Sequence, residues 1–296
     1  MTSRRVSERR RGWPVLAAAG LLAVGAACGN DGEVATPQSA EVDAADPAAA
    51  LTADTVGDVT IHSFVGPSLN TGTYVIESST SLVVIDTGYR NGDPENFRAA
   101  VDSLDKPISS VLITHDHPDH VGGLNTAFAD APVATTAAVA ELIDAGDREI
   151  EILDGAFTID GIEYVADEYL DAEARAQMVV TLPGHDAIFT GDLVFNETHL
   201  FLTPHLDRWI SILEEIEVDS PSRVYPGHGL PAGPGVYAET IEYIRTAQAN
   251  LTSASSGEEY TAAMIDAYPD WREPSLIEFY PRALLSQPIP PTTDPG

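Results

Sequence analysis

Thr114-His115-Asp116-His117-Pro118-Asp119-His120 sets three imidazoles and the Asp119 carboxylate within six positions. That density of ligand types has few uses other than holding metal. The preceding run, Ser109-Ser110-Val111-Leu112-Ile113, is short, apolar and β-branched, and it reads as a buried strand. The ligands therefore stand at the end of a strand. In an extended segment His115 and His117 project to the same side, while Asp119 and His120 can turn toward a neighbouring position. Two ions could thus share one loop. The competing reading, surface histidines in a polar turn, explains the strand but not the concentration of ligands.

The 296 residues shrink to one domain once the ends are set aside. Residues 1 to 12 carry Arg4, Arg5, Arg9, Arg10 and Arg11 against one acid, Glu8, and an apolar run from Trp13 to Ala27 follows. This is the layout of a secretory signal, too short to span a bilayer comfortably. It ends in Val24-Gly25-Ala26-Ala27-Cys28, which is similar to a bacterial lipoprotein signal. Cys28 is the single cysteine of the chain, so no intramolecular disulfide forms and no thiolate serves as a ligand in the folded domain. Lipidation of Cys28, with export to the bacterial cell envelope and anchoring to the membrane, accounts for it. A cleavable signal with an incidental cysteine, hence secretion, is the other reading, because Gly25 stands where a larger aliphatic residue is usual. Ser3-Arg4-Arg5 hints at twin-arginine export against the general route.

From 28 to 58 the chain is rich in Ala, Asp, Glu, Thr and Pro, and it reads as a disordered acidic tether. Residues 286 to 296, rich in proline, read as a disordered tail. The expected domain spans 59 to 285. Net charge is −31, and without residues 1 to 27 the chain keeps 10 basic against 45 acidic residues. Such acidity excludes nucleic acid as a natural partner and leaves a small molecule as the expected substrate.

Within the domain, Val59–Val65, Thr73–Glu77 and Ser81–Asp86 read as strands of an opening antiparallel sheet. Pro94 to Leu104 is helical in pattern, and helices are also expected from Val121 to Ala129 and Ala137 to Ala145. Short strands follow near 150 to 165, then at 178–182, 187–190 and 223–225. Helices are expected over 206–216, 236–251 and 258–267. This alternation is that of an α/β domain. The C-terminal aromatics Tyr260, Tyr268, Trp271 and Tyr280 either cap a cleft or pack their helices onto the domain.

Asp86-Thr87-Gly88 after a strand, Thr-His-x-His-x-Asp-His at 114 to 120, Gly191-Asp192, and Pro226-Gly227-His228-Gly229 together resemble the metallo-β-lactamase superfamily over most of residues 59 to 230. The resemblance implies an αββα sandwich, here with a helical C-terminal extension, and a binuclear site at one edge of the sheets. It implies that His115 and His117 bind the first metal, that Asp119, His120 and His228 bind the second, and that Asp192 bridges. It further implies two divalent ions, Zn before Mn or Fe. Asp86 is expected to orient ligands and not to bind metal.

One element departs from the family pattern. Leu182-Pro183-Gly184-His185 looks like the Pro-Gly-His that precedes the Gly-Asp strand. Yet Val179–Leu182 and Ala187–Thr190 should pair as a hairpin whose turn is Pro183-Gly184-His185-Asp186. At about 3.3 Å per residue, that turn lies roughly 17 Å from Asp192. The ligand must come from the other end, where the partner of Asp192 falls near Met178 and Asp171-Ala172-Glu173-Ala174-Arg175 leads in. Glu173 occupies the slot of the missing histidine. Its carboxylate would leave the two ions one net positive charge, weaken their acidity and shift preference somewhat toward manganese or iron. Alternatively, Glu173 is solvated or pairs with Arg175. His199 either lines the pocket or packs, and His62 and His205 show no ligand pattern.

The expected activity is hydrolysis of an ester, lactone, thioester or β-lactam by a metal-bound hydroxide aimed at the carbonyl, with Asp119 orienting the hydroxide and relaying its proton. Two other classes stay open. One is a mononuclear iron enzyme of the persulfide dioxygenase kind, and the other is a non-catalytic metal-binding lipoprotein.

Overall fold

The computed structural model describes residues 51–90 and 92–278. The signal segment 1–27, Cys28, the tether to residue 50, and 279–296 with Tyr280 and the tail lie outside the described residues. None of the described helices is long and apolar enough to cross a membrane.

Strands β1 (Thr52–Val56), β2 (Val59–Val65), β3 (Gly72–Glu77) and β4 (Leu82–Ile85) form an antiparallel meander. Helix α1 (Asp93–Asp102) then returns the chain so that β5 (Ile108–Leu112) pairs parallel with β4. After the short α2 (Pro118–Val121), strand β6 (Val133–Thr135) joins β5; after α3 (Ala137–Ala140), β7 (Ile150–Ile152) completes a seven-stranded sheet in chain order. The second sheet is built from β8 (Gly155–Ile159), β9 (Ile162–Leu170), β10 (Ala176–Leu182), β11 (Ala187–Phe195) and β12 (Arg223–His228). Its order is β12-β11-β10-β9-β8. Helices α4 (Leu206–Val218), α5 (Gly235–Ser253) and α6 (Gly257–Ala267) follow its later strands.

Period-2 alternation divides the side chains of each sheet between two cores. Val83, Ile85, Ala187 and Phe189 face inward, where the sheets meet around Ile61, Tyr74, Met178 and Tyr225. Their neighbours Leu82 and Val84 face outward against Phe97 and Val101 of α1. Ile188 faces the other flank, against Trp209, Leu213, Tyr243 and Met264 of α4, α5 and α6. The layering is αββα with a helical C-terminal part, as the sequence predicts. Tyr260 and Met264 are wholly buried in that outer core, and Tyr268 and Trp271 pack against it. Those aromatics take the packing role.

Three expectations change. The tether does not reach residue 58, because β1 turns through Gly57, at φ +65°, and adds an edge strand to β2. Four of its five residues are exposed, so it carries little hydrophobic signal; main-chain pairing holds it, with Asp54 accepting from Arg223 Nε at 2.9 Å. The helix expected over 121–129 shrinks to α2, because the chain bends at Gly122 and Gly123 to lie against Gly88 and Thr87. A Cβ at either glycine would stand 2.6 Å from the Gly88 or Thr87 carbonyl oxygen. The helix expected over 137–145 stops at Ala140. Beyond it, the Asp144 carbonyl accepts from the Asn125 side-chain amide at 2.6 Å and the Ala145 carbonyl from Arg148 Nε at 3.0 Å, which fixes irregular backbone in place of a further helical turn.

Candidate metal centre

The ligand-bearing side chains come from five places at one edge of the sandwich. The segment leaving β5 supplies His115 and His117, α2 supplies Asp119 and His120, the β9–β10 turn supplies Glu173, β11 supplies Asp192, and the end of β12 supplies His228. The 179–190 hairpin forms with the expected register, Val180 opposite Phe189 and Leu182 opposite Ala187. Above Phe189 the ladder opens, and Asp192 has no partner near Met178. The Met178 amide instead donates to the Thr114 carbonyl at 2.7 Å, and the Gln177 amide side chain bridges to the Thr190 carbonyl at 3.1 Å. Gly191, at φ +51°, makes the bulge that redirects Asp192. The opening lets the Asp171–Arg175 turn fold over the strand end and buries Glu173 to 1 % exposure.

Two groups of donors result, and Asp192 belongs to both. His115, His117, Glu173 and Asp192 make the first, and Asp119, His120, Asp192 and His228 the second, with the ligand atoms of each group within 4.8 Å of one another. In the first, His117 Nδ1 is 3.4 Å from Glu173 Oε1, and His115 Nε2 is 3.4 Å from Asp192 Oδ2. In the second, His120 Nε2 is 3.0 Å from Asp192 Oδ1, and His228 Nε2 is 3.3 Å from Asp119 Oδ2. Both Glu173 oxygens, His115 Nε2, His120 Nε2 and Asp192 Oδ1 are buried without a hydrogen-bond partner. Five orphaned polar atoms converging in one place would cost several kcal/mol if nothing bound them. Imidazole and carboxylate donors in this arrangement fit divalent cations.

The outer nitrogens of three imidazoles, those of His115, His120 and His228, are fixed. Asp86 Oδ2 lies 2.7 Å from His120 Nδ1 and accepts from the Thr114 hydroxyl at 2.7 Å, while Asp86 Oδ1 accepts the Thr114 amide. Asp86 therefore orients His120 directly and His115 through Thr114, and it belongs to neither donor group. The Thr114 hydroxyl also meets His115 Nδ1 at 2.9 Å. His228 Nδ1 faces the Leu69 carbonyl at 2.8 Å. A carbonyl only accepts, so a proton sits on Nδ1, and in the neutral ring the Nε2 lone pair is left for the cluster. Phe195 stacks on the His228 ring at 4.5 Å, and Thr71 donates to Asp119 Oδ2 at 3.1 Å. Leu69 and Thr71 escape a sequence reading, since their segment offers only turn composition. Thr114 was visible inside the histidine motif, although its role was not.

Protons hold the charges of this cluster in balance. Burial pushes Glu173 up to about 8, with the Asp192 and Asp119 charges adding to it. Burial opposes protonation of His117 and His228, yet their carboxylate neighbours win: Glu173 and Asp192 hold His117 up at about 9, and Asp192 and Asp119 hold His228 at about 10. Burial, with the charge of His120, drives His115 down to about 4. Asp192, despite burial, is held well below the usual carboxylate range by His120, His228 and His115.

The remaining histidines fall outside. His185 sits in the hairpin turn, bonded to Asp58 at 2.7 Å, and His62 pairs with Glu77. His199 is buried against Tyr243, its Nδ1 2.9 Å from the phenol oxygen. Arg175 reaches Asp116 at 3.7 Å and leaves Glu173 to the cluster.

Residues 69–228 match the profile of the Metallo-beta-lactamase superfamily, a span holding every residue of both donor groups. The chain belongs to this superfamily. A lactamase-like protein of Pestalotiopsis microspora is 32% identical over 166 residues, which are 54% of this chain and 49% of that protein. The atrochrysone carboxyl ACP thioesterase nsrC of Aspergillus novofumigatus is 29% identical over 163 residues, 54% of this chain and 49% of its own. The chain thus matches about half the length of these superfamily relatives. Among solved structures, a metallo-beta-lactamase from Pontibacter korlensis superposes with a TM-score of 0.57 at 21% identity, covering 66% of this chain and 99% of that one. The DIM-1 metallo-beta-lactamase gives 0.53 at 20% identity, covering 67% and 98%. Both likenesses concern the superfamily fold.

Proposed function

We propose that the protein is a binuclear metal-dependent hydrolase that cleaves a carbonyl substrate, an ester, thioester, lactone or β-lactam. The observation that carries this is the pair of donor groups sharing Asp192, with five of their buried polar atoms otherwise unpartnered. His115, His117, Glu173 and Asp192 would hold one ion, zinc before manganese or iron, and Asp119, His120, Asp192 and His228 the other. When bound, such a pair supplies Lewis acidity to a carbonyl and a water nucleophile near neutral pH. The protein's own residues do the rest. Asp119, oriented by the Thr71 hydroxyl, is 8% exposed at the cluster and is placed to take up and pass on a proton. His117, whose side chain is 27% exposed with the Phe201 ring edge-on at 6.1 Å, marks the side from which a substrate approaches. A mononuclear iron oxygenase needs only one group, whereas here the second is equally complete.

The name of the thioesterase relative favours thioesters and esters as the first substrates to test. The acidity of the chain supports a small-molecule substrate over nucleic acid, and the segment ending at Cys28 supports a lipid-anchored, envelope-facing enzyme. The test is hydrolysis of a panel of acyl thioesters, aryl esters, lactones and nitrocefin by protein reconstituted with Zn²⁺, Mn²⁺ or Fe²⁺. Turnover of at least one class, abolished by chelation and restored by metal, is expected. Protein that holds two ions yet turns over none of the panel would contradict a carbonyl hydrolase.

A further inference from the structure

His228 is the last ligand in the chain, and a closed hydrogen-bonded circuit surrounds it. Its ring Nδ1 donates to the Leu69 carbonyl. The next amide, Gly229, donates to the Asn70 carbonyl at 2.9 Å, and the His228 carbonyl accepts the Asn196 amide at 2.9 Å. The circuit is closed by side chains. Asn70 Nδ2 donates to the Thr198 hydroxyl at 2.6 Å, and that hydroxyl donates to the Asn196 carbonyl at 3.0 Å. Thr198 is wholly buried and Asn70 is 9% exposed.

The backbone at this point is unusual. Leu69 and Asn70 both take positive φ, 60° and 58°, which only a few per cent of non-glycine residues adopt, Asn more readily than most. That conformation aims the Leu69 carbonyl at the imidazole. Two consecutive left-handed residues persist only where surrounding bonds hold them, and here the Gly66 amide on the Thr71 carbonyl and the Gly229 amide on the Asn70 carbonyl are joined by the side-chain bond from Asn70 to Thr198. Thr71, which follows, carries the hydroxyl that orients Asp119. One short segment thereby sets two of the four donors of the second group.

We infer that Asn70 and Thr198 are positioning residues that lock the left-handed Leu69–Asn70 segment and so preorganise His228 and Asp119 for the second metal ion. The inference rests on the binuclear reading above. Neither side chain touches the cluster, and both act through main-chain groups that do.

The experiment is metal titration of full-length protein by Zn²⁺ and, for its spectrum, by Co²⁺, comparing wild type with Thr198→Val, Thr198→Ser and Asn70→Ala. Thr198→Val keeps the side-chain shape and removes the hydroxyl. It should weaken the second equivalent about 10- to 100-fold, the range found when groups behind ligating histidines are removed. The first equivalent and its Co²⁺ bands should be unchanged. Thr198→Ser should restore the second equivalent, and Asn70→Ala should match Thr198→Val or exceed it. A merely structural role would weaken both equivalents together and lower the melting temperature without separating them, which would overturn the inference. Unchanged second-site affinity in Thr198→Val and Asn70→Ala would do the same while leaving the binuclear reading intact. Wild type that binds fewer than two equivalents would instead overturn that reading, and the inference with it.

Discussion

At the scale of single residues, the centre is defined by which side chains enter it and which stay out. Glu173 is buried with both oxygens unpartnered inside the first donor group, whereas His185, the sequence's apparent Pro-Gly-His ligand, is spent on Asp58 in a hairpin turn. His117→Ala should therefore remove bound metal and hydrolysis, while His185→Ala should leave both within about twofold of wild type. Metal analysis of the two variants checks this, and loss of metal from His185→Ala would contradict the placement. Glu173→His should raise zinc affinity by substituting a softer donor in the same slot, read as a lower Kd in competition with a chromophoric chelator. At this scale the motif residues were legible because ligand chemistry restricts residue type. Leu69, Asn70, Thr71 and Thr198 were not, because they act through carbonyls and hydroxyls that many residue types could provide.

At the scale of elements, strand ends and their irregularities do the aiming. Gly227, between Pro226 and His228, has no room for a side chain, since a Cβ there would lie 2.0 Å from Asp192 Oδ1 and 2.6 Å from the Gly191 carbonyl carbon. Gly227→Ala should displace β12 from β11, lose metal and destabilise the fold by about 3 kcal/mol or more, measured by denaturant titration. Tyr74 ties the first sheet to the same turn through its hydroxyl, 2.5 Å from the Pro226 carbonyl, and its ring packs edge-on against Phe189 and Tyr225. Tyr74→Phe keeps the packing and leaves that carbonyl unpaired, so a loss of about 1–3 kcal/mol is expected without loss of fold. The central strands were legible from alternating hydrophobicity and the hairpin from its turn residues. β1 was not, because four of its five side chains face solvent and main-chain pairing leaves no trace in composition. The bulge at Gly191 was equally hidden, and it moved the partner of Asp192 away from Met178.

At the scale of the whole molecule, three cores between two sheets and two helical layers bring together, at one edge, seven ionisable groups far apart in sequence. Burial obliges them to share protons, and metal loading must displace those protons. Glu173 near 8, His117 near 9 and His228 near 10 all hold protons at pH 7. Metal binding at that pH should therefore release protons, and the release should diminish as pH rises through 8 to 10; calorimetry in buffers of different ionisation enthalpy measures it. The same groups fix the sign for stability. Each is raised above its ordinary value, 4.5 for Glu173 and 6.5 for the histidines, so its contribution is complete below that value and is lost as pH rises from there to about 8 for Glu173, about 9 for His117 and about 10 for His228. Chelated protein should thus melt lower at pH 9.5 than at pH 6.5, and metal-loaded protein should lose this difference.

The central claim is a binuclear centre in which Glu173 takes the place of a histidine, and metal stoichiometry tests it most directly. Plasma mass spectrometry of full-length wild type and Glu173→Ala, each dialysed against the same divalent ion, should give two equivalents in the first and one or fewer in the second. A single equivalent in the wild type, unaffected by the substitution, would contradict it.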